Sequence, residues 1–140
     1  MCIRDRSGHQ AIPLLNEALV DRLPMVAGLL RGLGIDASSV VRPDPREHAA
    51  RSRRRYDVFF VPDALSSPSI PDKDFVERYR VRSAVGFGGV LPSGELFAVL
   101  VFANVPVPNA TAELLQSLAL TVQSVIVPHT YRVFPPALQA

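Results

Sequence analysis

The chain has 140 residues, 48% of them hydrophobic, 20% charged, with a formal net charge of +2. That is enough for one domain with a core and too little charge for a global basic field aimed at nucleic acid. A single cysteine, Cys2, excludes a disulfide framework and a thiolate metal site.

In chain order, "MCIRDR" comes first, with no periodicity and no turn chemistry. Back-translated, it resembles the mosaic-end adapter of transposase-based DNA library preparation, so residues 1–6 are expected to be an adapter-derived scar and are left out of fold reasoning. Without Arg4, Arg6, Asp5 and Cys2 the balance is 13 basic against 12 acidic residues, and no thiol remains. The start is then set by the adapter, and any upstream targeting or membrane segment lies outside the chain. No signal peptide pattern is present. The longest apolar runs, "FAVLVFANV" and "LALTVQSVIV", are short for a bilayer span, so no membrane segment is expected within the chain.

"NEALVDRLPMVAGLLRGLG" reads as helix, with Asn16 as N-cap and Leu19, Leu23, Val26 or Ala27, and Leu30 at steps of three and four. Gly34 is its stop, and Pro24 imposes a kink or divides it into two short helices. "ASSVV" is expected to be a strand. "RPDPREHAARSRRRY" carries the densest charge, and Pro43 and Pro45 suit a turn into a short exposed helix. "YDVFFVPDA" reads as a strand ended by Pro62, followed by a proline-rich loop and two helical turns capped by Asp72 or Asp74.

"RVRSAVGFGGVL" and "ELFAVLVFANV", joined by "PSG", carry the pattern of a β-hairpin. Both faces of the second run are apolar, which predicts cover on both sides. Gly86, Gly88 and Gly89 in the first run predict a bulge or a close approach by another element. From Asn109 or Thr111 a helix begins, with Leu114, Leu115, Leu118, Val122 and Ile126 (or Val125) expected on the core side and Pro128 as its stop. It is the expected pillar of the domain. Residues 129–140 are the expected linker or tail. The fold class is α+β, an antiparallel sheet flanked by helices, with about four strands.

Catalytic and metal motifs are absent. His9, His48 and His129 have no ligand spacing to a cysteine, histidine or carboxylate, so no metal site is implied and the cofactor is left unknown. Loop or surface histidines are the base expectation; a haem ligand is the sharper alternative, with His129 as its candidate. "GFGG" lies between two strands, out of context for a phosphate cradle. There is no Gly-x-Ser-x-Gly elbow. "RSRRRY" reads either as a phosphate-binding patch or as a solvated helix face. The flanking Asp44, Glu47 and Asp57 and the lack of aromatic interleaving favour the face, and no nucleic-acid partner is expected. A ligand pocket is expected on the sheet face opposite the C-terminal helix, floored by Phe59, Val61 and Phe87, with Arg82 or Ser83 supplying polarity.

The stretch from Val81 to His129, with Ser83, Gly94, the run 96–102 and Leu115-Gln116-Ser117-Leu118-Ala119, resembles the closing half of a GAF domain. "GHQAIPL", "LPMVAGLLRGLG", "VRPDP" and "VFFVPDALSSPSIP" extend the resemblance, over about Gly8 to Pro128, to GAF-like sensory regions upstream of PAS and kinase modules in bacterial sensor histidine kinases. The resemblance implies a cytoplasmic, non-catalytic module (residues 7–128) that binds a small ligand or partner, forms a homodimer, or both, and biases a linked output. A ligand-free dimerisation or scaffold module is the alternative. GAF domains carry an N-terminal helix and six strands, so an N-terminally incomplete domain with an exposed sheet edge is expected. The cysteine-borne chemistry and the cyclic-nucleotide pattern of some GAF domains are missing.

Overall fold

A computed structural model describes residues 13–133; residues 1–6 and the end of the expected tail lie outside the described residues. The protein is α+β, built on an open three-stranded antiparallel sheet ordered β1-β2-β3. The strands are β1 (Phe59–Val61), β2 (Ser83–Val90) and β3 (Leu96–Ala103).

The N-terminal helical segment divides at Pro24, as its position predicts. Helix α1 (Glu17–Asp21) is capped by Asn16, whose side chain accepts from the Leu19 amide at 2.8 Å. Helix α2 (Pro24–Leu33) takes Pro24 in its first turn, where a missing N–H costs nothing, and ends at Gly34 with φ of 72°. The next segment departs from expectation: Ala37–Val41 is a short helix, α3, and not a strand. Asp36 sets this locally. Its carboxylate accepts from the Ser38 hydroxyl, and its carbonyl accepts from the Ser39 hydroxyl at 2.7 Å. Those bonds turn the chain before Val40 and Val41 can extend it. The strand count therefore falls from about four to three.

A 3₁₀ turn at Pro45–Glu47 leads into α4 (His48–Arg53), the expected short helix after the prolines. Arg51 Nη1 donates to the Ser39 carbonyl at 2.8 Å, tying α4 to α3. Arg54 lies over the Tyr56 ring, 5.4 Å from its centroid. Helix α5 (Lys73–Arg78) is capped by Asp72 through the Phe75 amide.

Pairing between β2 and β3 is continuous over eight residue pairs, so the glycines of β2 mark close approach and not a bulge. A Cβ on Gly86 would lie 2.8 Å from Leu100 Cδ2 and 3.1 Å from Leu29 Cδ1, which shows how tightly α2 nests on the sheet. The register places Phe59, Val61, Ala84, Val90, Leu96 and Leu100 on one face, and these pack with Leu30, Leu33, Ile70 and Val76 as the main core. Central strand β2 is buried throughout. Strand β3 is not covered on both sides: Val101 is 44% and Phe102 36% exposed, because β3 is an edge strand.

The C-terminal helix begins with α6 (Asn109–Leu114), passes through a 3₁₀ turn at Leu115–Ser117, and continues as α7 (Leu118–Ile126). Neither Asn109 nor Thr111 caps it; Pro108 holds the cap position. It is not the buried pillar expected. Ala112 is buried, and α7 has no buried residue. Leu115, Val122 and Ile126 are half-buried, while Leu114, Leu118 and Val125 are exposed. The helix meets the domain through polar bonds instead. Gln116 Nε2 donates to the Tyr56 carbonyl at 2.5 Å, and Gln123 Nε2 donates to the Ser52 carbonyl at 3.1 Å.

Pro128 does not stop the helix. It sits in a 3₁₀ turn, Val127–His129, followed by α8 (Thr130–Val133), so the linker expected from residue 129 opens with a helical turn. A proline early in a turn removes a donor that has no partner there anyway. The span Asn109–His129 is long and apolar enough to cross a membrane by length and composition. The run "LALTVQSVIV" alone is too short for this; the 3₁₀ turns at 115–117 and 127–129 join it to α6 and to His129 in one continuous helical span.

Candidate ligand groove

Strand β1 has β2 on one side only. Beside its other edge lies a groove of about 580 Å³, walled by α2 and by the loop that follows β1. Gly28, Arg31 and Gly32 come from α2; Val58 to Asp63 form the strand side; Ser66 to Ser69 close the far wall.

Each wall has a sequence cause. Gly28 and Gly32 lie one turn apart on α2. A Cβ on Gly32 would stand 2.9 Å from the Phe59 Cα, and one on Gly28 would stand 2.7 Å from Ser69 Oγ. Only glycine lets the helix approach strand and loop together. The loop is held by Lys73, whose ammonium donates to the carbonyls of Ala64 at 3.0 Å, Ser67 at 2.7 Å and Ile70 at 2.7 Å. Three convergent carbonyls on one cation are strong, charge-assisted bonds. They fix the chain around "LSSPSI" without secondary structure.

Asp63 accepts from the Ser66 hydroxyl at 2.8 Å and the Leu65 amide at 3.2 Å. These donors, with the Lys73 charge nearby, hold its carboxyl below the usual carboxylate range. Arg31 is exposed, and among the described residues no carboxylate pairs with it. The groove thus offers one guanidinium, one carboxylate, serine hydroxyls and the apolar edge of Phe59 and Phe60. It can bind a small molecule with polar ends. Among the described residues no group of three metal-ligating side chains occurs.

The five residues expected to form one pocket are not together. Phe59 pairs with Gly86 and Val61 with Ala84, so both share the main-core face. Ser83 and Phe87 alternate onto the other face, the one under the C-terminal helix. Phe59, Val61 and Phe87 are each 4% exposed and fill the interior. Ser83 is fully buried and donates to the Val105 carbonyl at 2.7 Å, a structural bond. Arg82 is exposed ahead of β2, and its amide donates to the Ala103 carbonyl. A single pocket on these five is therefore corrected to a groove that keeps only Phe59 and Val61. The sequence signals that would have found it are the Gly28–Gly32 spacing and the serine-rich loop.

His129 lies exposed in the 3₁₀ turn after α7. His48 packs its ring under the hairpin turn, where Gly94 has φ of 100° and a Cβ would meet the imidazole at 2.4 Å. Its Nε2 is buried with no hydrogen-bond partner among the described residues.

Comparison with protein-family models, with curated proteins and with solved structures finds no match to this chain.

Proposed function

We propose that the chain is a non-catalytic, GAF-like sensory domain, N-terminally incomplete, from a cytoplasmic region of a bacterial sensor histidine kinase. Its task is to bind a small molecule in the groove beside β1 and to bias a linked PAS or kinase module. The observation that carries this reading is the groove itself: a polar-ended recess whose walls are an α-helix and a loop pinned by Lys73. The order of helices, short strand, hairpin and long C-terminal helix supports the GAF-like assignment, and three strands where such domains carry six support incompleteness. The ligand class that suits the lining is a small molecule with an anionic group for Arg31 and an apolar body for Phe60. It biases an output only by binding two states of the domain unequally.

A thermal-shift screen of small organic anions tests this. A true ligand at 100 times its Kd stabilises the domain by about 2.7 kcal/mol. Arg31→Ala should abolish that gain while leaving the unliganded Tm unchanged, since Arg31 is exposed. Stabilisation that survives both Arg31→Ala and Phe60→Ala contradicts the assignment.

The second reading, a ligand-free dimerisation or scaffold module, draws on the apolar side chains that the C-terminal helix leaves exposed. It expects self-association and no stabilising ligand.

A further inference from the structure

The groove beside β1 has a free strand edge along one side, and the phase of the sheet says which groups that edge presents. The Leu91 amide donates to the Glu95 carbonyl at 2.8 Å, so Ser83, Val85, Phe87 and Gly89 turn their backbone groups to β3. Ala84 and Gly86 turn theirs to β1, where they face Val61 and Phe59. The Arg82 carbonyl, in the same phase, accepts from the Ala64 amide at 2.9 Å. Phe60 lies opposite Val85, so its N–H and C=O point away from the sheet, on the groove side. Among the described residues nothing bonds either group. Pro62, the next residue in that phase, has no N–H. Within β1 the edge thus offers one donor and one acceptor, between walls that the chain itself supplies.

The charges of the groove sit at opposite ends of this edge. Helix α2 runs opposite to β1: the Leu33 carbonyl accepts from the Asp57 amide at 3.3 Å, and Gly32 stands over Phe59. Arg31, the residue before Gly32, lines the groove from this end. Asp63 lies at the other end, past Val61 and Pro62. The chain from Phe59 to Asp63 covers at most about 13 Å. The bonds that Asp63 accepts from Ser66 and Leu65 leave carboxylate lone pairs free. Among the described residues no basic side chain pairs with Asp63, and no acidic one with Arg31.

We propose that the groove binds a short zwitterionic peptide, tripeptide in size, as one more antiparallel strand on β1. This rests on the reading of the groove as a small-molecule site and names the ligand class. Running opposite to β1, the peptide brings its carboxylate to the Arg31 end and its ammonium to the Asp63 end. The parallel sense would set each charge against its like. The central residue lies opposite Phe60. Its N–H donates to the Phe60 carbonyl, and its carbonyl accepts from the Phe60 N–H. Main-chain bonds of this kind supply affinity, and side-chain contacts supply selectivity. Directly opposed residues share a face, so an apolar central side chain meets the Phe60 ring. The two end charges set the length, because a much longer peptide carries its ammonium past Asp63.

Calorimetric titration of the full chain with alanyl-leucyl-alanine tests it, beside three altered forms: N-acetylated, C-terminally amidated, and N-methylated at the leucine nitrogen. The parent tripeptide is expected to bind, and each alteration to weaken binding about tenfold or more, the worth of one hydrogen bond whose partner is left unpaired. Arg31→Ala should erase the effect of amidation and keep that of acetylation; Asp63→Asn should do the reverse. Exchange of the Phe60 amide should be fast in the free chain and slow at saturation. Binding indifferent to acetylation and amidation overturns the proposal, as does a Phe60 amide that is already protected in the free chain or exchanges no slower with peptide bound. Failure of all four peptides overturns it too, and the small-anion screen then separates the two claims. An organic anion whose binding Arg31→Ala abolishes leaves the groove a site for another ligand class; no binding by any anion removes both.

Discussion

Lys73 is the residue on which the groove depends most. Its ammonium is the shared donor for three loop carbonyls, and no side chain of another type reaches all three. Lys73→Met keeps the stem and removes the donor, leaving the carbonyls of Ala64, Ser67 and Ile70 short of a partner. A loss of about 1–3 kcal/mol is expected in urea denaturation, with amide exchange faster over 64–70 and unchanged in β2. Asp63 provides a pH signature. Its folded carboxyl is held below the ordinary range by Ser66 and Leu65, so its contribution is present at neutral pH and is lost as pH falls through that lowered value. The stability difference between wild type and Asp63→Asn should therefore shrink on acidification, as followed by denaturant titration at stepped pH. A difference that grows with acidity would contradict the assignment. Gly32 is the third position. The Cβ of Gly32→Ala would press on the Phe59 backbone, and a cost of about 1–3 kcal/mol is expected.

At the scale of elements, both α2 and the C-terminal helix carry an apolar stripe, and it is α2 that buries it. Leu30 on α2 is 2% exposed and Leu118 on α7 is 43% exposed. Leu30→Ala should cost about 2–5 kcal/mol, whereas Leu118→Ala should cost under about 1 kcal/mol in the monomer. Equal losses in chemical denaturation would place the C-terminal helix back in the core. What was legible was local. Asn16, Asp72 and Gly34 act through their own neighbours, and the "PSG" loop closes on the Leu91 carbonyl within one turn. Residues 37–41 form a helix where their sequence favours a strand, because the Asp36–Ser38 and Asp36–Ser39 bonds outweigh two β-branched residues. The buried face of the C-terminal helix was misread because Leu114, Leu118 and Val125 form an apolar stripe as regular as a core stripe. Nothing local says that Gln116 and Gln123 anchor the helix to the carbonyls of Tyr56 and of Ser52 in α4, 60 and 71 residues back in the chain.

On the scale of the whole molecule, one sheet separates two environments. The face that carries Phe59 and Val61 is filled by α2 and α5, and the face that carries Phe87 lies under a helix that contributes little apolar burial. This division explains why the five expected site residues cannot share a pocket: strand alternation sends them to opposite faces. The groove is legible only in its parts, the Gly28–Gly32 spacing and the serine-rich loop, because its walls, 28–32 and 66–69, are distant in sequence and nothing local says that they meet beside β1. The central claim is that this groove is where a small molecule acts. Amide chemical-shift mapping on the isotope-labelled chain, titrated with an anion that passes the thermal screen, tests it most directly. Saturable shifts are expected at Gly28, Arg31, Gly32, Phe60, Val61, Ser67 and Ser69, with Gly88, Gly89, Gln116 and Gln123 unmoved. Saturable shifts confined to the second set, or none in the first, would contradict the account.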